Sequence, residues 1–531
     1  MVCFNKMQND KLKFKLFFLV VIFYCFFGLA KNSHAATYYI DYVSGSDSND
    51  GASTSTPWKL APGMRGCWVG DTGGNCNAKR EAGFSAGDRI VLKGGVTWPK
   101  EALCWDMYFG GGSTGNPVYI GIDQTWYAGP SWSRPVIDAE GSTIYTSPEN
   151  VSNTMVRFYN DYSIIDNLEF KGLYQLYGGT NGPRHIMLTT GNYSEIKNCY
   201  FHGWGHGGTA TADNLFIVSG WGMDSSLHHN VWDGSDTTKD IGEAWYGTTG
   251  HVYNNYFAYI QNGGIVATAE TVYVWGNTFF ESAYNYADFD PSAHHQTFEN
   301  YGTTYYYNNF THNIGGGGNV LTYGMRNNDY IFNNVMYNNN TQVLQLGNDP
   351  NEGGGYGIYA FNNTMQRAEA SYIVGSPANG PGMITVQDTS NNHVVAPGPD
   401  YIYCNSTYVT NCTSNNVLAQ TVAVATNAGY TSSSTYPYLW SGVGSGGTVN
   451  AGSDLSLICS GMTNNGPSTP SADCLSDTTL GVVYDATSHT VTYPFKNPVV
   501  RGANWDIGAY EYAAETSDTT PPVAPSGLNV D

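Results

Sequence analysis

The sequence predicts an all-β solenoid, a stack of short coils with a cap at each end. Three observations predict it. Short apolar segments with Asn-rich punctuation recur through the middle of the chain. Their spacing falls in the 20–50-residue range of repeat architectures, and long helical patterns are missing. In order, the segments are Ile165-Asp-Asn-Leu-Glu-Phe170, Ile196-Lys-Asn-Cys-Tyr-Phe201, Leu227-His-His-Asn-Val-Trp232, Val252-Tyr-Asn-Asn-Tyr-Phe257, Val274-Trp-Gly-Asn-Thr-Phe279, Tyr305-Tyr-Tyr-Asn-Asn-Phe310, Ile331-Phe-Asn-Asn-Val-Met336 and Ala360-Phe-Asn-Asn-Thr-Met365. Asn230, Asn255 and Asn277 lie 25 and 22 residues apart, and Asn334 and Asn363 lie 29 apart.

Each part of a segment has a physical role in such a stack. Short runs of β-branched and aromatic residues suit strands. Asn tolerates the left-handed backbone of a sharp corner. Stacked Asn amides can hydrogen-bond up and down successive coils, and the residue closing each segment can then stack in the interior. The Gly315–Gly318 and Gly353–Gly355 clusters suit other corners. A propeller would need a four-strand blade of about 40–45 residues with its own signature, and none is present. Residues 36–515 form the solenoid domain, with 36–160 as N-terminal cap and first coils and Asn504–Tyr512 as a closing strand over the open end. Residues 516–531 are Pro-rich and read as an exposed tail.

Composition narrows the function classes. Lys and Arg number 22 against 43 Asp and Glu, a net charge of −21, which argues against a phosphate-binding nucleic-acid partner. A hydrophobic share of 41% excludes a disordered acidic chain. Residues 1–35 read as a secretory signal: Lys6, Lys11, Lys13 and Lys15 precede the apolar run Leu16–Ala30, and Ser33-His34-Ala35 supplies small residues for cleavage. Removing five Lys and one Asp with that segment leaves −25. No second apolar stretch long enough to span a bilayer follows, and the mature chain is expected to be a monomer. Eight cysteines remain, an even count that suits disulfides in an exported chain. Proximity pairs Cys67 with Cys76, Cys404 with Cys412 and Cys459 with Cys474, and leaves Cys104 and Cys199.

The opening Tyr38-Tyr-Ile-Asp-Tyr-Val-Ser-Gly-Ser-Asp-Ser-Asn-Asp-Gly51, followed by Thr56-Pro-Trp58, resembles the start of secreted proteins of the pectate-lyase-like superfamily. Ala86–Gly95 resembles their first core coil, and Trp505-Asp-Ile-Gly-Ala-Tyr-Glu-Tyr512 their closing segment. The resemblance covers roughly residues 37–513. It implies a right-handed parallel β-helix with N- and C-terminal caps, acting on or binding a polysaccharide. Polysaccharide lyases, glycoside hydrolases, epimerases and non-catalytic proteins share that architecture, so the reaction has to be argued from residues.

Polar residues concentrate between 202 and 312. The 32 residues from Asn277 to Asn309 exceed the neighbouring periods, which predicts a loop leaving the coil with Asp288, Asp290, His294, His295 and Glu299. A preceding group holds Asp233, Asp236, Asp240 and Glu243. Glycoside hydrolysis needs two carboxyl groups flanking the bond. Glu243, Asp288 and Asp290 are the catalytic candidates, with His294 or His295 orienting them. Arg326 and His206 are candidates for substrate contact. Gly205-His206-Gly207 resembles one element of the polygalacturonase family, but no Asn-Thr-Asp precedes it and no Arg-Ile-Lys follows, so that family's roles are not carried over.

A lyase would instead use a Lys or Arg base, with Ca²⁺ holding the uronate acid; Lys239, Arg326 and Arg367 are the nearest cations. The strongly negative charge favours a neutral glycan, because a polyuronate would be repelled unless Ca²⁺ bridged it. Hydrolysis needs no cofactor, and no metal-ligand set is assigned. His228 and His229 occupy a corner where other coils carry Asn and read as structural. Asp47-Ser-Asn-Asp-Gly51 reads as a turn rather than a Ca²⁺ loop. Gly111-Gly-Ser-Thr-Gly115 leads into a strand rather than the helix a nucleophile elbow needs.

Overall fold

A computed structural model of the chain describes residues 35–512 apart from 65–82, 108–109, 143–144, 148–149, 177–183, 208–214, 221, 223, 237–242, 248–249, 261–262, 268–270, 283–295, 301, 315–319, 323–327, 340–342, 347–355, 368–373, 376–383, 398–408, 433–436 and 441–446. The signal segment, Cys67–Cys76, both Gly clusters and the Pro-rich tail lie outside the described residues. No helix among those described is long and apolar enough to cross a membrane.

Among the described residues the recurring segments become the rungs of three long sheets of 13, 13 and 11 strands. Pairing is parallel throughout the stack, with an antiparallel addition, Tyr145–Ser147 on Asn150–Phe158, at the edge of the third sheet. Each coil passes from the first sheet to the second across the Asn corner, then to the third, and back to the first one rung on. The molecule is the expected right-handed parallel β-helix.

The corner between the first and second sheets shows why Asn recurs. Asn167, Asn198, Asn254, Asn308, Asn333 and Asn362 all have φ between 53° and 64°, and His229 takes the same place at 54°. This accords with the structural reading of His229. The following residue turns inward. Asn230, Asn255, Asn277, Asn309, Asn334, Asn363 and Asn392 are fully buried and form a continuous ladder. Each amide oxygen accepts from the backbone N–H one coil below, as between Asn277 N and Asn309 Oδ1 at 3.0 Å. Each amide nitrogen donates to a carbonyl, as from Asn309 Nδ2 to Val274 O at 3.0 Å, and to the next amide, until Asn392, which donates to the carbonyls of Ala360 and Thr389. Cys199 N–H donates to Asn230 Oδ1 and starts the ladder.

Three residues after the corner, Phe170, Phe201, Trp232, Phe257 and Phe279 stack face to face in the interior, with centroids 4.7–5.2 Å apart. The next rung corrects the sequence reading. Thr311 pairs with Phe279 and Phe310 with Thr278, so the segment there is Tyr306–Thr311 and its ladder residue is Asn309. A shift of one residue reverses the face. Phe310 therefore packs outside the coil against Val335, Leu480 and Ala509, and the fully buried Thr311 takes the interior place.

The C-terminal region also differs from expectation. A helix at Val422–Asn427 and the hairpin Tyr430–Ser432/Pro437–Trp440 follow the last rungs. Residues 448–512 then fold back along the outside of the coils as a strap rather than supplying a closing strand. Asn504–Tyr512 contains no strand, yet Gly508 N–H donates to Asn391 O and Ala509 N–H to Thr364 Oγ1. The strap covers two outer stacks on the first sheet, Tyr253–Trp275–Tyr307–Phe332–Phe361 and Tyr273–Tyr305–Tyr330–Tyr359. The expected Cys459–Cys474 disulfide lies within it. Cys412 is also disulfide-bonded; Cys404, its expected partner, lies outside the described residues. Cys104 and Cys199 are buried thiols.

Two other readings concern the N-terminal loops. Asp47 Oδ1 accepts from Lys59 N–H and Leu60 N–H, and Asp50 from Ala52 N–H and the Thr56 hydroxyl, so 47–51 is a self-capped turn. Ser113 and Asn116 bridge in a turn that feeds the strand Val118–Tyr127, as expected for Gly111–Gly115.

Candidate functional site

The outer face of the second sheet places alternate residues of successive rungs side by side. Glu169, Tyr200 and Val231 share one row, and Lys171, His202 and Asp233 share the next. His202 is the centre of a charged cluster on these rows. Its Nε2 lies 3.0 Å from Glu169 Oε1 and its Nδ1 2.7 Å from Asp236 Oδ2. Gly203 N–H donates to the other Asp236 oxygen at 2.8 Å. The His202 and Glu169 side chains are mostly covered, whereas that of Asp236 is 50% exposed.

The strap completes this site. Tyr200 is sandwiched between the rings of His202 and His489, each 4.1 Å away. The Tyr484 hydroxyl donates to Asp233 Oδ2 at 3.3 Å and lies 2.7 Å from His489 Nδ1. Arg134 holds the strap hairpin down by donating to the carbonyls of Ser488 and His489 at 2.8 and 3.0 Å. Lys171 extends the charged row toward Asp138 at 3.4 Å.

The charges set each other. Burial works to lower His202, but hydrogen bonds and charge from Asp236 and Glu169 outweigh it and raise the imidazole to about 9. Burial works to raise Asp236 and Glu169, yet the His202 bond and charge hold both below the usual carboxylate range. Near neutral pH the site is an imidazolium between two carboxylates.

A value above the imidazole's ordinary 6.5 means that protonation stabilises the fold. That stability is complete below pH 6.5 and is lost as the pH rises through 9. The expected loss is about 2 kcal/mol, allowing for screening at the half-exposed Asp236. An NMR titration of His202 should give a midpoint near 9, moving toward 6.5 in Glu169→Gln; a wild-type midpoint near 6.5 would contradict the arrangement.

The sequence-derived candidates are distributed as follows. Glu243 begins the third-sheet strand Glu243–Gly247, opposite Phe216 and Gly263. His206 lies in Gly205–Gly207, opposite Gln175. Asp288, Asp290, His294 and His295 lie outside the described residues, as do Arg326, Lys239 and Asp240. The chain order still places the first four in the connection from the second sheet to the third, between the strands Thr278–Phe280 and Gln296–Asn300. Asp236 and His206 occupy the same kind of connection on earlier coils. Fifteen residues separate those two strands, against four between Ala258 and Gly263. Arg326 falls in a different connection, from third sheet to first.

Two readings are corrected. Glu299 is no loop residue: it lies in the strand Gln296–Asn300 and is 1% exposed. Arg367, considered as a lyase base, is 1% exposed within the strand Thr364–Arg367 and cannot meet a polysaccharide.

Sequence reading missed Glu169, His202, Tyr484 and His489. The usable signal for the first two was their position beside the inward aromatics Phe170 and Phe201, which marks them as outward neighbours on consecutive rungs. Another charged group, on the first sheet, is self-contained. Glu195 accepts from His228 and Lys197 at 2.8 and 2.7 Å. Burial opposes ionisation there, but these two partners hold its carboxyl down at about 2. Among the described residues no group of three or more His, Cys, Asp or Glu could hold a metal ion.

No protein-family profile and no curated protein matches the chain. Among solved structures, it is similar to pectate lyase Pel9A at 16% identity, covering 91% of this chain and 98% of that one with a TM-score of 0.43. It is similar to the GH136 lacto-N-biosidase from Eubacterium ramulus at 14% identity, covering 70% and 68% with a TM-score of 0.41. It is similar to a rhamnogalacturonan lyase at 12% identity, covering 72% and 87% with a TM-score of 0.37. The chain's own three parallel sheets and buried Asn ladder make it a right-handed parallel β-helix protein.

Proposed function

We propose that the protein is an exported carbohydrate-active enzyme, a glycoside hydrolase that cleaves a neutral polysaccharide along the edge between its second and third sheets. The observation that carries this reading is Asp236, a half-exposed carboxylate held by His202 and Gly203 N–H and kept ionised by that imidazolium. In a two-carboxyl mechanism one group is ionised and acts as base or nucleophile, while the other donates a proton to the leaving oxygen. Asp236 takes the ionised role. His202 is a positioning residue that fixes its orientation and charge. We assign the proton donor among the sequence candidates Glu243, Asp288 and Asp290, with His294 or His295 as the residue that would orient it.

Export is supported by the basic-then-apolar N-terminus and by the Cys459–Cys474 disulfide, which suits an oxidising compartment. The glycan is taken as neutral because the chain carries −21 and the site's cation is already shared by two carboxylates.

The test is reducing-end release from a panel of neutral and acidic polysaccharides by the mature chain. Release is expected from a neutral substrate, with a drop of about 10²-fold or more in Glu243→Gln or Asp288→Asn for whichever residue is the acid. Ultraviolet absorbance from unsaturated uronate would identify a lyase instead. Binding without turnover across the panel would make the protein a non-catalytic glycan binder. Either result overturns the hydrolase reading.

A further inference from the structure

A second groove lies on the first sheet, separate from the acidic edge. Tyr273, Tyr305 and Tyr330 stack with centroids 4.7 and 5.0 Å apart and planes within 12° of parallel. Their faces are occupied by one another and the three residues are only 2–9% exposed beneath the strap, so they meet the groove through their phenol ends. Thr271 and Thr303 stand opposite each other on adjacent rungs beside that row. The strap supplies the facing wall through Gly461 and Thr463, within the loop closed by Cys459–Cys474. The groove between them has a volume of about 330 Å³.

Its chemistry is uncharged and rich in hydroxyls. The described lining contains only Thr, Tyr, Asn and Gly. The Tyr305 hydroxyl accepts from Thr463 N–H at 3.2 Å, which leaves its own proton to donate outward. Tyr273 donates to Thr463 O at 3.1 Å and so keeps a lone pair to accept. Asn328 uses its amide oxygen on Gly357 N–H and reaches Tyr330 at only 3.5 Å. Donors and acceptors therefore repeat at the rung spacing of about 4.8 Å, close to the length of one sugar residue in an extended glycan. No cation is present among the described lining to receive a carboxylate, and the absence of an apolar floor disfavours a lipid or a hydrophobic peptide.

We infer that this groove is a secondary binding site for a neutral glycan chain lying along the helix axis, one sugar per coil. It would anchor substrate away from the cleavage edge; the inference rests on the glycan reading above but not on catalysis. The test uses the full mature chain carrying Asp236→Asn, so that ligand is not consumed. Binding of neutral oligosaccharides from the panel, and of oligogalacturonate as the acidic control, is measured by calorimetry. Thr303→Val combined with Tyr305→Phe removes two hydroxyls without removing the stack, and the unfolding midpoint checks that the fold is kept. The expected result is neutral-glycan affinity weakened about tenfold or more by the pair, with turnover of short substrates unchanged when the pair is placed in the active chain. Unchanged affinity, equal binding of oligogalacturonate, or no binding of any neutral glycan would overturn the inference. Loss of the hydrolase reading with groove binding intact would leave it standing.

Discussion

Replacing Asn309 by Leu is expected to destabilise the central coils by about 3–5 kcal/mol. The side chain is fully buried and of suitable volume for Leu, so packing is not the cause. What is lost is hydrogen bonding on both sides of the rung. Asn277 loses the acceptor for its backbone N–H and for its amide, each at 3.0 Å. Val274 O loses its donor at 3.0 Å and Asn334 Oδ1 loses one at 3.2 Å. Buried groups left without partners incur their full desolvation cost. The neighbouring corner residue provides the contrast. Asn308 has φ 55° and Gly276 occupies the same corner at 64°, so Asn308→Gly should cost less than about 1 kcal/mol. Because a solenoid can lose coils locally, urea unfolding should be paired with hydrogen exchange, which should show the Asn277 backbone amide losing protection first. Equal losses in the two variants would contradict the ladder's role.

The second large effect is expected at the strap. Arg501 is fully covered and bonds Glu511 at 2.9 Å, Asn333 Oδ1 at 3.1 Å and the carbonyls of Ser476 and Gly508 at 3.3 Å. Burial raises the Glu511 carboxyl, and Arg501 opposes that rise. Arg501→Met strands a buried carboxylate and should cost about 3–5 kcal/mol near neutral pH. The loss should shrink in acid, where Glu511 takes up a proton. Arg501→Met with Glu511→Leu should recover most of it, since removing both charges also removes the stranded one. Limited proteolysis should cut the single variant within residues 448–512. A double variant as unstable as the single would show that the ion pair is not the clamp.

The contrast between these sites explains what the sequence reveals. The Asn corner and its inward neighbour recur through the central coils with few exceptions, so a local pattern repeated eight times is enough to find them. The single slip, at Tyr305–Phe310, arose where three Tyr and two Asn in a row leave the register ambiguous by one residue. The strap was invisible because its partners are remote. Arg134 meets His489 across 355 residues and Thr278 meets Val482 across 204, and no periodicity links them. The candidate site lies between these extremes. Of the acids singled out in the sequence, Asp236 bonds His202 and Asp233 accepts from the Tyr484 hydroxyl. The residue that joins Asp236 to Glu169 is His202, whose role depends on which face each rung turns outward.

The central claim is that an ionised Asp236, fixed by His202 and Glu169, works on glycosidic bonds at this edge. The most direct measurement compares initial rates of reducing-end release by wild type, Asp236→Asn and Glu169→Gln on the best neutral substrate, with unfolding midpoints recorded alongside. The account predicts that Asp236→Asn loses at least about 10²-fold in kcat while staying folded. Glu169→Gln should lose less, with its alkaline limb moved to lower pH as His202 releases its proton earlier. Full activity in a folded Asp236→Asn variant would contradict it.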